Sequence, residues 1–178
     1  MKIIVISYSL TGNNDTLAAS IALALSAEHI RITEPSSRTM WTIILDLLFN
    51  RTPQVTPVLN MVKGNELVIF VSPIWMGHIA SPLRSCFQQL KARIGNYVFV
   101  SISGGADGAN PKLDDELQMR LGKRPVALVD LSIATLLPAA PKPTRKDTST
   151  YHLTARDVRS LTDTVVKRLR ETLTLPAM

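Results

Sequence analysis

The amino-acid sequence predicts a doubly wound α/β fold, a three-layer sandwich whose five-stranded parallel sheet has the strand order 2-1-3-4-5. Short, fully apolar runs are typical of strands that are buried on both faces of a parallel sheet. Helical periodicities alternate with these runs, as in successive βαβ units. The length of 178 residues and the apolar content of 46% fit one domain, which we place at residues 1–178.

The first half of the chain contains three strand patterns and two helix patterns. Ile3–Ile6 is a continuous aliphatic run and predicts the first strand. Leu17, Ile21 and Leu25 recur every four residues and mark the buried face of the first helix. The elements that follow are a short second strand at Ile30–Ile32, a helix with Trp41, Ile44, Leu45, Leu48 and Phe49 at helical spacing, and a third strand at Leu67–Val71.

The second half repeats this alternation. Ser81 and Pro82 predict a helix start, and Tyr97–Val100 predicts the fourth strand. A helix follows Asn110-Pro111, and residues 126–133 predict the fifth strand. Residues 138–150 contain three prolines and basic side chains, which indicate an exposed loop. The last helix is predicted to open with a capping box in residues 154–157.

Composition and charge exclude several classes of function. The net charge of +6 is spread along the chain, whereas a nucleic-acid-binding protein concentrates its basic residues on one face. A single cysteine, Cys86, excludes an intramolecular disulfide framework, and the three histidines lack the spacing of metal ligands. No apolar run approaches the ~20 residues that span a bilayer. We therefore expect a cytoplasmic protein without a metal site, a membrane span or a nucleic-acid partner.

The predicted fold brings three loops to one edge of the sheet. Ligands of doubly wound sheets bind at the carboxyl ends of the strands, where the strand order reverses. The loops after the first, third and fourth strands are residues 7–14, 72–80 and 103–110. We expect the functional site where these loops meet.

The first of these loops has the composition of an anion site without a cation. Residues 9–14 offer hydroxyls, amides and one glycine ahead of a helix, whose N-terminal N–H groups favour negative charge. The loop lacks both the lysine of a Walker A motif and the glycine spacing of a dinucleotide-binding loop. This pattern favours a monophosphate. The alternative is a polar turn in which Asn13 or Asn14 caps the helix.

Two motifs resemble those of a known family. Ser9-x-Thr11-Gly12-Asn13 after the first strand resembles the phosphate-binding loop of flavodoxins. Residues 71–78, Val-Ser-Pro-Ile-Trp-Met-Gly-His, resemble the Ser-Pro-Ile-Trp-x-Gly loop of flavodoxin-like proteins. Both follow the appropriate strands in the appropriate order, and at the level of topology the resemblance covers the whole chain. It implies the flavodoxin-like fold and non-covalently bound flavin mononucleotide (FMN).

The resemblance also implies how this chain would hold the cofactor. Hydroxyls of Ser9 and Thr11 and backbone N–H groups of the first loop would bind the phosphate. The Trp75 ring would stack on the isoalloxazine, and the backbone of the second and third loops would border the flavin. No catalytic side chain is assigned. The implied cofactor-binding residues are Ser9, Leu10, Thr11, Gly12, Asn13, Asn14, Pro73, Ile74, Trp75, Met76, Gly77, Ser103, Gly104, Gly105 and Asp107.

The chain departs from the flavodoxin pattern in four respects. Asn14 stands where flavodoxins commonly have threonine, so an amide contact would replace a hydroxyl contact to the phosphate. Residues 103–108 contain no aromatic ring to cover the second face of the flavin, which leaves room for a substrate. Flavodoxins are acidic, whereas this chain carries +6. Residues 34–65 form a long segment, a candidate lid or dimer surface, although the spacing of residues 41–49 favours burial in the core.

Three functions follow in order of preference. The first is a flavodoxin-like electron-transfer protein, a carrier that exchanges electrons with redox partner proteins through FMN. The second is an NAD(P)H-dependent quinone or FMN reductase, an oxidoreductase whose small electron donor is the nicotinamide nucleotide. The third is a flavin-free binding scaffold. The chain is expected to act as a monomer or a homodimer.

Overall fold

The structure is a computed structural model that describes residues 2–59, 62–64, 66–106, 108 and 110–173. Its strands, numbered along the chain, are β1 Ile3–Ser7, β2 Glu28–Arg31, β3 Leu67–Val71, β4 Ile74–Trp75, β5 His78–Ile79, β6 Tyr97–Ser103 and β7 Ala127–Ser132. The main sheet has the order β2-β1-β3-β6-β7, and all of its pairings are parallel. This confirms the predicted 2-1-3-4-5 arrangement.

The helices also follow the predicted alternation, with one addition. They are α1 Asn13–Ala24, α2 Met40–Leu48, α3 Ser81–Leu90, α4 Leu113–Leu121, α5 Arg145–Thr150 and α6 Ala155–Leu173, and a short 3-10 helix spans Ile133–Leu136. The short helix α5 corrects the expectation of a loop over 138–150. Its first turn is closed by a capping box between Thr144 and Asp147. Among the residues described, no helix is both long and apolar enough to cross a bilayer.

Alternation along the strands builds a core on each face of the sheet. Ile4 and Ile6 point to one face and Val5 to the other, as the period of two along a strand requires. The first face packs against α3 and α4, which contribute residues such as Phe87 and Leu117. The second face packs against α1 and α6. The central strand β3 is buried along its whole length because both faces are covered.

Helix α2 differs from its prediction. The helical spacing of residues 41–49 indicated a buried face, but the structure buries only Ile43 and Asp46 of α2. Trp41 is 75% exposed and Leu48 is 72% exposed. The periodicity correctly predicted a helix, but the prediction that its apolar face is buried in the core was wrong. Two buried residues, Ile43 and Asp46, suffice to hold α2 against the rest of the protein.

A buried cation attaches this segment to the rest of the protein. Arg38 lies just before α2 and donates from Nε to Glu34 at 2.8 Å and from Nη1 to Asp46 at 2.6 Å. The side chains of all three residues are at least about nine-tenths buried. Burial disfavours the charge, but the hydrogen bonds to both carboxylates outweigh it and hold the pKa of Arg38 above its ordinary value.

The two carboxylates extend this network into neighbouring elements. Tyr8, which follows β1, donates its hydroxyl to Glu34 at 2.8 Å. Ser81 at the start of α3 donates to Asp46 at 2.8 Å. The predicted helix start is confirmed, with Ala80 at the N-cap position and Ser81 as the first residue of α3. Through these contacts one guanidinium connects β1, α2 and α3.

We expect Arg38→Ala to lower the free energy of unfolding by about 3 kcal/mol or more, because it leaves two buried carboxylates without their cation. Urea unfolding followed by circular dichroism measures the loss. Arg51→Ala is the matched control. Arg51 lies beside the exposed Phe49 ring, and its loss should change stability by less than about 0.5 kcal/mol. Equal effects of the two substitutions would contradict the assigned role.

Candidate functional site

A cavity of about 850 Å³ opens at the carboxyl edge of the sheet, where the three loops were predicted to meet. It lies at the point where the strand order reverses, between β1 and β3. Eight of the predicted residues line it: Leu10, Ile74, Trp75, Met76, Gly77, Ser103, Gly104 and Gly105. Six others do not line the cavity, namely Ser9, Thr11, Gly12, Asn13, Asn14 and Pro73. Asp107 falls outside the described residues.

The first loop forms the start of α1. Gly12 precedes the helix with a φ of 92°, a left-handed conformation that glycine adopts without strain. The backbone N–H of Asn14 donates to Ser9 Oγ at 3.1 Å, so Ser9 caps the first turn from outside the helix. The other N–H groups of the first turn lack intrahelical acceptors, as at every helix start. Nothing lies within 4 Å of the position that a Cβ on Gly12 would take, so the backbone just ahead of α1 is open on this side.

The two asparagines of this loop bind the protein itself. Asn14 Nδ2 donates to the carbonyl of Ile102 at 2.9 Å, and its Oδ1 accepts from the Ile102 N–H at 3.1 Å. Asn13 makes the same kind of pair with the carbonyl of Tyr151 and the N–H of Leu153. Both polar atoms of the Asn14 side chain are thus engaged with Ile102, whereas the sequence indicated an amide contact to phosphate. It joins the first loop to the end of β6.

The second loop is a β-hairpin with a two-residue turn, which sequence analysis did not predict. β4 and β5 pair antiparallel, with Trp75 opposite His78. Met76 and Gly77 form the turn with φ of 51° and 80°, the positive values that a type I′ turn requires. The Met76 side chain is exposed at the tip. The turn thus presents backbone and one thioether at the cavity.

Trp75 is more enclosed than a stacking platform requires. Its side chain is 9% exposed. Tyr8 packs edge-on against it at 5.8 Å between ring centroids, and the Arg38 guanidinium lies over its ring at 5.4 Å. In this structure the tryptophan is part of the cavity wall, with Arg38 over its ring.

The third loop is fixed by close contacts of glycine. Gly105 has a φ of 70°, and a Cβ there would lie 1.7 Å from Ser132 Oγ. At Gly104 a Cβ would lie 2.8 Å from Thr148 Oγ1 of α5. Neither position accommodates a side chain without movement of its neighbour. These contacts bring α5, including Arg145 and Thr148, to the wall of the cavity.

A histidine and a buried carboxylate meet at the second loop. His78 lines the cavity, and its Nδ1 lies 3.4 Å from Oε2 of Glu116, whose side chain is 8% exposed. Glu116 also accepts from the Ile79 N–H at 3.0 Å and from Arg120 Nε at 2.7 Å. The carboxylate thereby orients the imidazole, and Nε2 on the other side of the ring remains for contacts with a ligand.

Cys86 has no role in the chemistry of the candidate site. Burial raises the pKa of its thiol to about 12, so the thiolate is disfavoured and the side chain acts as a small hydrophobe.

Sequence reasoning missed part of the cavity wall. Met40 and Ile43 reach it from α2, and Lys112 and Arg145 bring positive charge to it. The basic character of residues 142–146 was visible in the sequence. Their position beside the third loop was not, because it depends on the contact between Gly104 and Thr148.

Comparison with known proteins identifies the fold. No protein-family model and no curated protein matches the chain. A flavoprotein from Lactobacillus acidophilus NCFM, solved in complex with FMN, matches with a TM-score of 0.63 and 19% identity over 72% of this chain and 92% of that one. A protein named as a flavoprotein from Bacteroides eggerthii matches with a TM-score of 0.62 and 15% identity over 93% and 98% of the two chains. A third protein named as a flavoprotein, from Bacteroides uniformis, matches with a TM-score of 0.61 and 15% identity over 74% of this chain and 91% of that one.

The chain has the flavodoxin-like fold. Strand order and structural neighbours agree on this point, which the two loop motifs predicted. Within this flavodoxin-like fold, the cavity occupies the edge at which doubly wound sheets bind their ligands.

We expect Asn14→Ala to lower the free energy of unfolding by about 2–4 kcal/mol, because the backbone N–H and carbonyl of Ile102 lose their partners in a buried position. Thermal and urea unfolding measure this loss. Ala19→Ser changes an exposed position of the same helix and serves as the control, with an expected effect below about 0.5 kcal/mol. A stable Asn14→Ala variant would show that the pair of hydrogen bonds contributes little.

Proposed function

We propose that this chain is an FMN-binding electron-transfer protein whose flavin occupies the cavity at the carboxyl edge of the sheet. The observation that carries the proposal is the position of the cavity at the carboxyl edge of the sheet, where Leu10 of the first loop, just ahead of α1, lines its wall. The flavoprotein from Lactobacillus acidophilus, which has the same fold, was solved with FMN. When bound, FMN supplies the one- and two-electron chemistry, and the protein supplies binding and orientation.

The first loop fits a phosphate without an added cation. Backbone N–H groups at a helix start bind anions well, and the helix dipole adds to this preference. The Thr11 side chain is exposed beside the open conformation of Gly12, so its hydroxyl is free to donate to the same anion. Asn13 and Asn14 contribute by holding the loop in place.

The remaining walls fit a flat, partly apolar ring system. Leu10, Ile74 and Trp75 supply apolar surface, and Ser103–Gly105 supplies backbone polar groups without side-chain bulk. Arg38 over the Trp75 ring restricts the tryptophan to a lateral contact. The exposed Met76 is better placed than Trp75 to cover a ring, since its flexible thioether packs well on aromatic surfaces.

We expect Thr11→Asp to weaken FMN binding at least about a hundredfold, because a carboxylate at the first loop repels the phosphate. Riboflavin lacks that phosphate, so its affinity should change little. Ala19→Asp adds the same charge at an exposed position two turns along α1 and is the matched control. Fluorescence titration with both ligands measures the constants. If wild-type protein binds neither flavin, the proposal fails and the flavin-free scaffold takes its place.

A second candidate function is an NAD(P)H-dependent quinone or FMN reductase. Lys112 and Arg145 place positive charge at the cavity, as the phosphates of a nicotinamide nucleotide need. His78, oriented by Glu116, presents Nε2 beside the same cavity as a hydrogen-bonding group for a ligand. The absence of an aromatic ring from residues 103–108 leaves space for a second ligand.

The two candidates predict different responses to nicotinamide nucleotides. We expect the FMN-loaded carrier to keep its visible flavin absorbance when NADPH or NADH is added without oxygen. Rapid bleaching would identify the reductase instead. In that case His78→Asn should slow turnover of a quinone while leaving the affinity for FMN unchanged. Arg124→Ala is the neutral control, because Arg124 follows α4 and pairs with Asp114 and Asp115 of that helix.

A further inference from the structure

Helix α2 presents an apolar surface that the other residues described by the structure leave uncovered. The α2 patch consists of Met40, Trp41, Leu45, Leu48 and Phe49, all exposed. Trp41, Leu45 and Leu48 follow the i, i+4, i+7 spacing that places side chains on one helical face. The opposite face carries the buried Ile43 and Asp46.

The α2 patch carries no exposed charge of its own. Asp46 is the charged residue of α2, and it is buried against Arg38 on the inner face. Arg51 lies at the edge of the patch, with its guanidinium 5.4 Å from the centre of the Phe49 ring. For two copies with a net charge of +6, a contact surface without charge avoids adding close pairs of like charges to their overall repulsion. Helix α2 provides such a surface.

The size of the α2 patch fits an interface between two copies. Large apolar side chains at these exposures present on the order of 100 Å² each, so the patch presents about 500 Å². Two such patches in contact bury about 1,000 Å², which reaches the minimum size of a biological interface. A dimer with a two-fold axis between the two patches needs no second, complementary surface, because the same patch serves both copies.

We propose that the chain forms a two-fold symmetric dimer in which the α2 patches of two copies pack against each other. Trp41 and Leu48 are the central apolar contacts, and Arg51 lies at the rim. Met40 belongs to the patch and also lines the cavity. The second copy therefore borders the cavity entrance and reduces its exposure to water. This proposal does not depend on which ligand the cavity binds.

Sedimentation velocity of the full chain over ~1 to ~100 µM tests the proposal. We expect wild-type protein to sediment at twice its 19.6 kDa mass at the upper end of this range. The double variant Trp41→Glu, Leu48→Glu should raise the dissociation constant at least tenfold. The double variant Leu23→Glu, Met119→Glu is the matched control, because these residues are 84% and 68% exposed on α1 and α4. It should associate like wild type, and thermal unfolding checks that both variants fold.

A cross-link gives a second readout that does not require loss of association. Leu45 lies near the middle of the α2 patch, and the native Cys86 is buried with a raised pKa, so it contributes little background. Oxidation of Leu45→Cys should give a covalent dimer, whereas Leu23→Cys should not. A monomer at all concentrations would overturn the proposal. So would equal association of the two glutamate variants, or a monomer that binds phosphatidylglycerol vesicles through Trp41.

Discussion

The burial of the Arg38 charge determines how the central part of the chain is arranged. A guanidinium this far from water needs carboxylate partners, and Glu34 and Asp46 approach it from two directions. Those partners in turn accept from Tyr8 and Ser81, so the position of α2 follows from satisfying one charge. A polar attachment of this kind needs little apolar contact, and it leaves most of the helix facing outward.

In the first loop, too, a few polar side chains fix the position of a whole segment. Asparagine side chains carry both a donor and an acceptor, so each can close a pair of backbone hydrogen bonds. Asn14 does this with Ile102, and Asn13 does it with the segment between Tyr151 and Leu153. The two side chains thus hold the loop in place against two distant segments of the chain. In this loop the asparagine side chains have a structural role, which leaves the backbone and the Thr11 hydroxyl as the groups that we propose for phosphate binding.

The sequence predicted the elements whose signal is local. Apolar runs such as Leu67–Val71 identify buried strands, and their alternation with helices predicts the sheet order. The β4–β5 hairpin was not predicted, because its strands have two residues each and show no periodicity. The hydrogen-bond partners of Arg38 and Asn14 could not be predicted either. Such pairs depend on which loops meet at the edge of the sheet, and Asn14 and Ile102 are 88 positions apart.

The misassigned burial of α2 has a physical explanation that extends beyond one chain. Periodicity reports that a helix has an apolar face, but it does not report which surface covers that face. In α1 the covering surface is the sheet, as the complete burial of Leu17 and Ile21 shows. In α2 the sheet side takes Ile43, and the wider apolar face, with Trp41 at its centre, looks away. An apolar helical face that the other described residues leave uncovered is typical of an interface. The same sequence signal that indicates a core therefore also indicates a contact between molecules.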